Sequence, residues 1–410
     1  MKYGLIGEKL GHSFSKIIHE AIADYTYELK ELAPSELDGF MKARDFLGIN
    51  VTIPYKQAVI PYLDEIDDAA REIGAVNAIV NRGGKLYGYN TDFYGMKSLF
   101  AHAGIDPKGK KAAILGSGGT SKTANAVMTA LGASEIIRVS RSGKDGALTY
   151  EELYEKHCDV EIIVNTTPVG MFPNIFDCPV CLESFNNLCG VIDAVYNPIN
   201  TTLVKEARAR GIKAESGLYM LVAQAVRASE FFLGASYEKR VIKETYEKLL
   251  KSKQNIVLIG MPASGKSTVG RILADRLGRR FVDTDDLITE RIGTSIKDFF
   301  EKNGEVAFRE IESMVIKEIS KENSLVIATG GGAVLREENI STLGYNGRLY
   351  FIDRPLEKLM PTESRPLSSD RASIEARYNE RYSIYCSRCD ERIDADCEAE
   401  TVADKILEKF

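Results

Sequence analysis

A lysine and a serine behind a glycine-rich turn, with aspartates following, carry the plainest chemical signal in this chain. Gly260-Met261-Pro262-Ala263-Ser264-Gly265-Lys266-Ser267-Thr268 is a full G-x-x-x-x-G-K-[ST] phosphate loop. It sits between a β-branched run, residues 255–259, and an amphipathic run, residues 269–277, which are the strand and helix such a loop needs. The glycines let backbone N–H groups turn toward phosphate oxygens, and a helix N-terminus adds positive potential. Lys266 would reach the β- and γ-phosphates, and the Ser267 hydroxyl would ligate Mg²⁺. The segment therefore binds a nucleotide. Twenty residues on, Phe281-Val282-Asp283-Thr284-Asp285 reads as a strand end whose two carboxylates share one face. An aspartate there is often a helix cap, which would explain one of them but not both together with Asp286. Gly330-Gly331-Gly332, after a buried strand, call for close approach of something to backbone, and a ligand is the usual cause.

A second set lies upstream. Gly116-Ser117-Gly118-Gly119-Thr120 follows the strand-like residues 111–115 and opens a helical run at 121–131, so it is a dinucleotide-loop candidate. The next strand, residues 135–139, ends in Ser140-Arg141-Ser142-Gly143-Lys144 and not in the acid that holds an NAD ribose. A solvated surface arginine is the bland alternative, but Arg141 with hydroxyls and Lys144 suits a 2′-phosphate, so NADP(H) is expected. Asn50-Val51-Thr52-Ile53-Pro54-Tyr55-Lys56 ends one strand, and Gly88-Tyr89-Asn90-Thr91-Asp92 ends a hairpin before a helix. Alone, Lys56 would be a solvated charge and Asp92 a cap. Together they are candidates for acid–base work.

The elements needed to position these groups alternate short β-rich and amphipathic helical runs, the pattern of α/β layers around parallel sheets. Strands are expected at 2–6, 25–32 and 49–53, and a hairpin at 78–90 turning on Asn81-Arg82-Gly83-Gly84. Further strands are expected at 111–115, 135–139, 161–164 and 190–195. Residues 218–233 form a largely apolar, buried helix, residues 237–251 a charged one, and Lys251-Ser252-Lys253-Gln254 a polar linker. Domains are thus expected at 1–98 with 218–250, at 99–217, and at 255–410, joined by 251–254.

The C-terminal set, with Gly304-Glu305-x-x-Phe308-Arg309-x-x-Glu312, Gly330-Gly331-Gly332-Ala333 and Arg365-Pro366-Leu367 in this order, resembles shikimate kinases over residues 255–410. The resemblance implies a P-loop α/β kinase using ATP and Mg²⁺, with Gly260, Ala263, Ser264, Gly265, Lys266, Ser267 and Thr268 on the nucleotide. Asp283 would help Ser267 hold the metal, and Asp285 would take or orient the attacking hydroxyl of shikimate. Arg309 and Arg381 would clamp its carboxylate, Gly331 and Gly332 would meet its hydroxyls, and Arg365 would close from a lid. One departure stands out: Leu359-Met360-Pro361-Thr362-Glu363-Ser364 is short and lacks the arginine that packs on adenine in the family.

Residues 1 to about 250 resemble shikimate dehydrogenases through His12-Ser13-x-Ser15, the Asn50–Lys56 run, Gly74-Ala75-Val76-Asn77, Asn90-Thr91-Asp92, the Gly116 loop, Asn165-Thr166-Thr167-Pro168 and Gly217-x-x-Met220-Leu221-x-x-Gln224. The resemblance implies a two-domain dehydrogenase, an α/β substrate domain plus a Rossmann domain for NADP. Ser13 and Ser15 would bind the carboxylate of 3-dehydroshikimate. Thr52, Asn77, Asp92 and Gln224 would bind ring hydroxyls with Tyr196 close by, and Lys56 with Asp92 would be the catalytic pair. Gly116, Ser117, Gly118, Gly119, Thr120, Ser140, Arg141, Ser142, Lys144, Thr166 and Gly217 would hold the cofactor. Lys16, Glu20 and Phe93 depart from the usual pattern without removing a functional group.

The 410 residues carry a net charge of −6, which argues against nucleic-acid or anionic-lipid partners and for small-molecule substrates. No apolar run approaches the roughly 20 residues of a membrane span, and no signal peptide is expected, so a cytoplasmic location follows. Seven cysteines fit reduced thiols better than zinc, because Cys178/Cys181/Cys189 and Cys386/Cys389/Cys397 each lack a fourth ligand. Two consecutive steps of one pathway is the favoured reading. A dehydrogenase acting on quinate, or a non-catalytic regulator on the same folds, are the alternatives. Oligomeric state is left open by the sequence.

Overall fold

Three sheets organise the described residues, 1–11, 13–360 and 371–410 of the computed structural model. His12 and Arg365, with the rest of 361–370, lie outside them. By contacts the chain divides into Met1–Leu250 and Lys251–Phe410, the helix Lys239–Lys253 running through the division. The polar run expected as a linker is thus helical as far as Lys253.

The first sheet contains β1 (Tyr3–Gly7), β2 (Tyr27–Glu31), β3 (Gly48–Val51), β4 (Glu65–Ile66), β5 (Ala78–Arg82) and β6 (Lys85–Tyr89), in the order β2-β1-β3-β5-β6-β4. β1 is parallel to β2 and β3, while β5 runs antiparallel to both β3 and β6. The β5–β6 hairpin turns on Gly83 and Gly84, both at positive φ (61° and 88°), where a side chain would be strained. Asn81 fixes this turn by accepting the Gly84 N–H at 2.9 Å. Two antiparallel steps make β6 parallel to β3. Their C-terminal ends therefore share one edge with the end of β1 and the start of β5, and that edge carries Ser13, Thr52, Lys56, Asn77 and Asp92.

The second sheet is wholly parallel: β7 (Lys111–Leu115), β8 (Glu135–Val139), β9 (Ile162–Asn165), β10 (Gly190–Asp193) and β11 (Lys213–Glu215), in the order β11-β10-β9-β7-β8. Every β7 and β9 residue except Lys111 is buried, as continuous apolar strands covered on both faces should be. From β7 the chain goes to β8 on one side and β9 on the other, so a crevice opens at the end of β7.

The same plan recurs in the second unit with β12 (Asn255–Ile259), β13 (Arg280–Asp283), β14 (Leu325–Ala328), β15 (Gly347–Asp353) and β16 (Glu391–Asp394), ordered β13-β14-β12-β15-β16 and all parallel. Among the described residues no helix is long and apolar enough to cross a membrane.

Helix Leu218–Leu233 packs along helix Thr91–Ala103, and it reaches three apolar clusters through Met220, Val222 and Phe232. The approach is close because Gly95 has no side chain. A Cβ there would lie 2.8 Å from the Met220 carbonyl oxygen and 3.0 Å from Cβ of Gln224. Gly95→Ala should force these helices apart, destabilising the first unit by about 1–3 kcal/mol. A thermal melt of the full chain should show one transition lowered and that of the second unit unmoved; two unmoved transitions would refute this packing account.

Candidate active sites

Strand ends at the shared edge of the first sheet converge on a cavity of about 380 Å³. Ser13, Ser15, Thr52, Lys56, Asn77, Asp92, Tyr196 and Gln224 line it, with Thr120 and Gly217 from the loops of the second sheet. Lys56 Nζ donates to Asp92 Oδ2 at 2.6 Å, and both side chains are mostly withdrawn from solvent. Asp92 sits in the first turn of its helix, where the N-terminal dipole favours a carboxylate, and Asn90 caps that turn through the Phe93 N–H. Phe93 is therefore an ordinary helical residue here. Ser13 Oγ donates to Ser15 Oγ at 3.1 Å and accepts the Ser15 N–H at 3.2 Å, pairing two hydroxyls on one side of the cavity.

Behind these groups runs a buried polar chain. Tyr27 OH donates to Asn50 Oδ1 (2.7 Å), and Asn50 Nδ2 donates to the Asn77 carbonyl (3.1 Å). Asn77 Oδ1 accepts both the N–H and the hydroxyl of Thr91, whose Oγ1 also lies 3.1 Å from Gln224 Oε1. Asn50 and Thr91 had been visible only as letters within motifs. Here Thr91 fixes the side chains of Asn77 and Gln224, and Asn50 holds the Asn77 backbone.

The dinucleotide-loop candidates lie at the C-terminal edge of the second sheet. Gly116 turns at φ +115°, and a Cβ on it would sit 2.7 Å from Thr166 Oγ1, which itself donates to the Leu115 carbonyl. The helix Gly119–Ala130 starts with no side-chain cap, so its first N–H groups face outward, and open space lies above Gly118 and Gly119. At the end of β8, Arg141, Ser142 and Lys144 follow buried Ser140, whose hydroxyl has no partner. Arg141 and Lys144 make no ion pair among the described residues. An anion-shaped, glycine-lined cradle with an unused hydroxyl and two cations beside it fits NADP(H).

Asp193, absent from the motifs, ends β10 fully buried. Its carboxylate accepts from Asn165 Nδ2 (2.9 Å), Val195 N (3.0 Å) and Thr201 Oγ1 (2.7 Å), tying together the loops after β9 and β10.

In the second unit a cavity of about 430 Å³ gathers Ser267, Asp283, Asp285, Arg309, Gly331, Gly332 and Arg381. The strand ends at Asp283, two residues before Asp285, which is already helical, so the two carboxylates do not share a strand face. Asp283 Oδ1 caps the helix Thr284–Ile292 by accepting the Asp285 N–H at 3.0 Å, which turns the chain helical, while its Oδ2 accepts the Ser267 hydroxyl at 2.6 Å. One residue satisfies both the capping and the functional reading. A serine hydroxyl beside a carboxylate is an oxygen donor set suited to Mg²⁺. Gly260 and Gly265 (φ +147° and +95°) and Ala263 (φ +64°) shape the phosphate loop, and open space lies above Gly265. Ser264 Oγ is buried without a partner, Lys266 Nζ donates to the carbonyls of Gly260 and Met261, and the helix carrying Ser267 and Thr268 has no side-chain cap. The loop accordingly fits a triphosphate.

The three glycines turn out to clear space for the protein's own side chains. A Cβ on Gly330 would meet Asp285 at 2.7 Å, one on Gly331 would meet Pro262 at 2.7 Å, and one on Gly332 would meet the Arg309 guanidinium at 2.2 Å. Thr284 Oγ1 holds the Gly330 N–H, while Tyr385 OH and Arg381 reach the Gly331 carbonyl. Arg309 is aimed by Glu312 (2.8 Å) and Glu305 (3.2 Å) on a helix that bends at Gly304, φ +81°. Burial pushes the Glu312 carboxyl up, against the pull of Arg309. Sequence reading gave Glu312 no role; its i+3 spacing from Arg309 was the available signal. Arg271, Arg377 and Asp286 also line this cavity.

Comparison with known proteins follows the same division. The shikimate dehydrogenase substrate-binding-domain family matches residues 5–79, and the shikimate kinase family matches residues 262–410. The NADP(+) shikimate dehydrogenase of Halothermothrix orenii is 43% identical over 266 residues, covering 57% of this chain and 91% of that protein. Shikimate dehydrogenase 1 of Peptoclostridium difficile is similar at 38% identity and TM-score 0.56, over 61% of this chain and 98% of that one. A chorismate mutase/shikimate 5-dehydrogenase fusion protein of Clostridium acetobutylicum is similar at 34% identity and TM-score 0.57, over 61% and 97%.

Burial pushes the Asp193 carboxyl up to about 7 from an ordinary 3.8. The native state then holds a proton that the unfolded chain releases near its ordinary value, so this group's contribution to stability falls as pH rises from about 4 to about 7. Asp193→Asn, neutral throughout, should lose that decline. Denaturant melts at pH 5 and pH 8 should therefore show the variant gaining on the parent at the higher pH; an equal difference at both would overturn the assignment.

Proposed function

Because the chain belongs to the shikimate dehydrogenase family and carries a shikimate kinase domain behind it, we propose that it performs two consecutive steps. The first is NADPH-dependent reduction of 3-dehydroshikimate to shikimate, and the second is MgATP-dependent phosphorylation to shikimate 3-phosphate. The observation that carries the reading is the 2.6 Å Lys56–Asp92 pair in a cavity lined by Ser13, Ser15, Thr52, Asn77 and Gln224. The dehydrogenase half is supplied with its hydride by NADPH. Lys56 then stabilises the alkoxide that forms at the ketone oxygen and gives it a proton from Nζ. Asp92 orients that amine through the 2.6 Å bond and also accepts from the neighbouring hydroxyl. Paired Ser13 and Ser15 hydroxyls take the carboxylate, while Thr52, Asn77 and Gln224 read the ring hydroxyls, with Tyr196 beside them.

Phosphoryl transfer needs alignment and neutralised charge more than covalent help. MgATP supplies the phosphoryl group. Ser267 and Asp283 are the metal's side-chain partners in this reading, and Lys266 serves the phosphates. Asp285 takes the proton of the attacking hydroxyl. Arg309 and Arg381 clamp the substrate carboxylate. Small-molecule substrates and a cytoplasmic location accompany the proposal.

The direct test supplies 3-dehydroshikimate, NADPH and MgATP to the purified chain and looks for shikimate 3-phosphate. Lys56→Ala should lower dehydrogenase turnover by roughly 10²-fold or more while phosphorylation of added shikimate continues. Near-normal NADPH oxidation by this variant would refute the role of Lys56.

Asp283 and Asp285 should separate in the same assay. Asp283→Asn should weaken Mg²⁺ use, with partial recovery in excess Mg²⁺. Asp285→Asn should lose phosphorylation that added Mg²⁺ does not restore, while ATP still binds. Rescue of the second variant and not the first would reverse the two roles.

A further inference from the structure

Among the apolar side chains that line the dehydrogenase cavity, Ile53 is the one that is exposed. Ile53, between Thr52 and Pro54, is 76% exposed, the highest value for any large hydrophobic side chain among the described residues. It also lines the cavity that contains Lys56. The exposure does not come from a loose backbone. The Ile53 carbonyl accepts the Glu8 N–H, the Thr52 N–H is held by the Ile6 carbonyl at 3.0 Å, and the Tyr55 N–H closes a turn onto the Thr52 carbonyl at 2.9 Å. A β-branched side chain presented this firmly to water, next to a catalytic amine, needs a covering group.

Topology says what the cover is. If Arg141, at the end of β8, holds the 2′-phosphate, the adenosine end of the cofactor lies on the β8 side of the crevice. The pyrophosphate then lies at the start of the helix after Gly118, and the other end of the cofactor must leave toward β9 and β10. Those strands lead into Thr166 and Ala194, and Ala194, Gly217 and Thr120 line the same cavity as Ile53 and Lys56. A dihydropyridine ring has two largely apolar faces, and hydride transfer requires one of them to approach the ketone carbon within about 3–3.5 Å. The substrate is a polyol carboxylate whose groups match the serines, threonine and amides; the isopropyl-like surface of Ile53 matches the ring.

Resting on the NADPH reading above, we propose that Ile53 is the apolar contact for the nicotinamide ring, holding it beside Lys56, and is not a substrate-binding residue. Its test uses the full chain and two nucleotides, NADPH and adenosine 2′,5′-bisphosphate, which shares the adenosine end but lacks nicotinamide. In Ile53→Asn the affinity for NADPH should fall about tenfold, and kcat should fall with it. Affinity for the bisphosphate should be unchanged, and the KM for shikimate in the reverse direction should move less than about twofold. Ile53→Val, which keeps a branched apolar side chain, should behave nearly as the parent does. The proposal is overturned if NADPH affinity is unchanged, if both nucleotides weaken together, or if the shikimate KM rises in place of the NADPH response. A parent chain that bound neither nucleotide would instead overturn the cofactor reading beneath it.

Discussion

A lysine and an aspartate 36 residues apart stay within 2.6 Å only if two strand ends share an edge, and the first unit is built to supply that edge. Lys56 follows β3 and Asp92 follows β6; the intervening β5 turns the chain back once, so both polar ends emerge on the same side. Each neighbouring feature serves the same constraint. The Gly83-Gly84 turn fixes the β5–β6 register, Asn90 starts the Asp92 helix at a defined residue, and Gly95 lets the Gln224 helix come close enough to close the cavity. Moving β6 by one residue would turn Leu86 away from the core, since side chains alternate along a strand, and would shift the start of the Asp92 helix with it.

Holding polar groups in a partly dry site raises a second demand, because any buried donor or acceptor left unmatched is costly. The Tyr27–Asn50–Asn77–Thr91–Gln224 chain meets it by giving each amide side chain a partner within the protein. Its outer end rests on His19, which stacks on Tyr27 with centroids 4.0 Å apart. Burial lowers the His19 pKa to about 3, so the imidazole is neutral and brings no charge beneath the site. Asp193 does the equivalent work between the loops after β9 and β10, gathering three donors on one carboxyl group.

Most of this architecture was legible because the signals were local. Strand, glycine turn and helix start recur around Gly116 and Gly260, and the hairpin turn is spelled in four consecutive residues. The error at Asp283 and Asp285 arose where one side chain decides the backbone: by capping the next helix, Asp283 ends its strand two residues early, and period-two reasoning no longer applies. Asp193 escaped notice, and Asn50 was quoted without a role, because their partners are distant in sequence. Glu312 was also quoted without a role although its partner Arg309 lies three residues back, and its burial depends on the whole fold. The triple glycine was rightly marked as a place of close approach, but the approaching groups are Asp285, Pro262 and Arg309, side chains whose positions depend on the whole fold.

The two cavities differ in composition as the two reactions differ in their demands. Hydride transfer leaves one negative charge on the ketone oxygen, and its cavity carries one ion pair and Lys9 among hydroxyls, amides and apolar side chains, including Leu10, Ile53, Met220 and Leu221. Phosphoryl transfer gathers a polyanion, a metal ion and an anionic acceptor, and its cavity is lined by Asp283, Asp285, Asp286 and Glu312 against Arg271, Arg309, Arg377 and Arg381. Such a density of opposite charges is stable only if each is aimed, as Glu312 aims Arg309 and the Ser267 hydroxyl engages Asp283, because an unpaired buried charge would be strongly destabilising. Gly330 and Gly332 make that density possible, because a side chain on the first would crowd Asp285 and Glu312 and one on the second would crowd the Arg309 guanidinium. In the first unit glycine at 95 brings helices together; in the second, glycine brings charges together. The same residue thus answers a packing constraint in one site and an electrostatic one in the other.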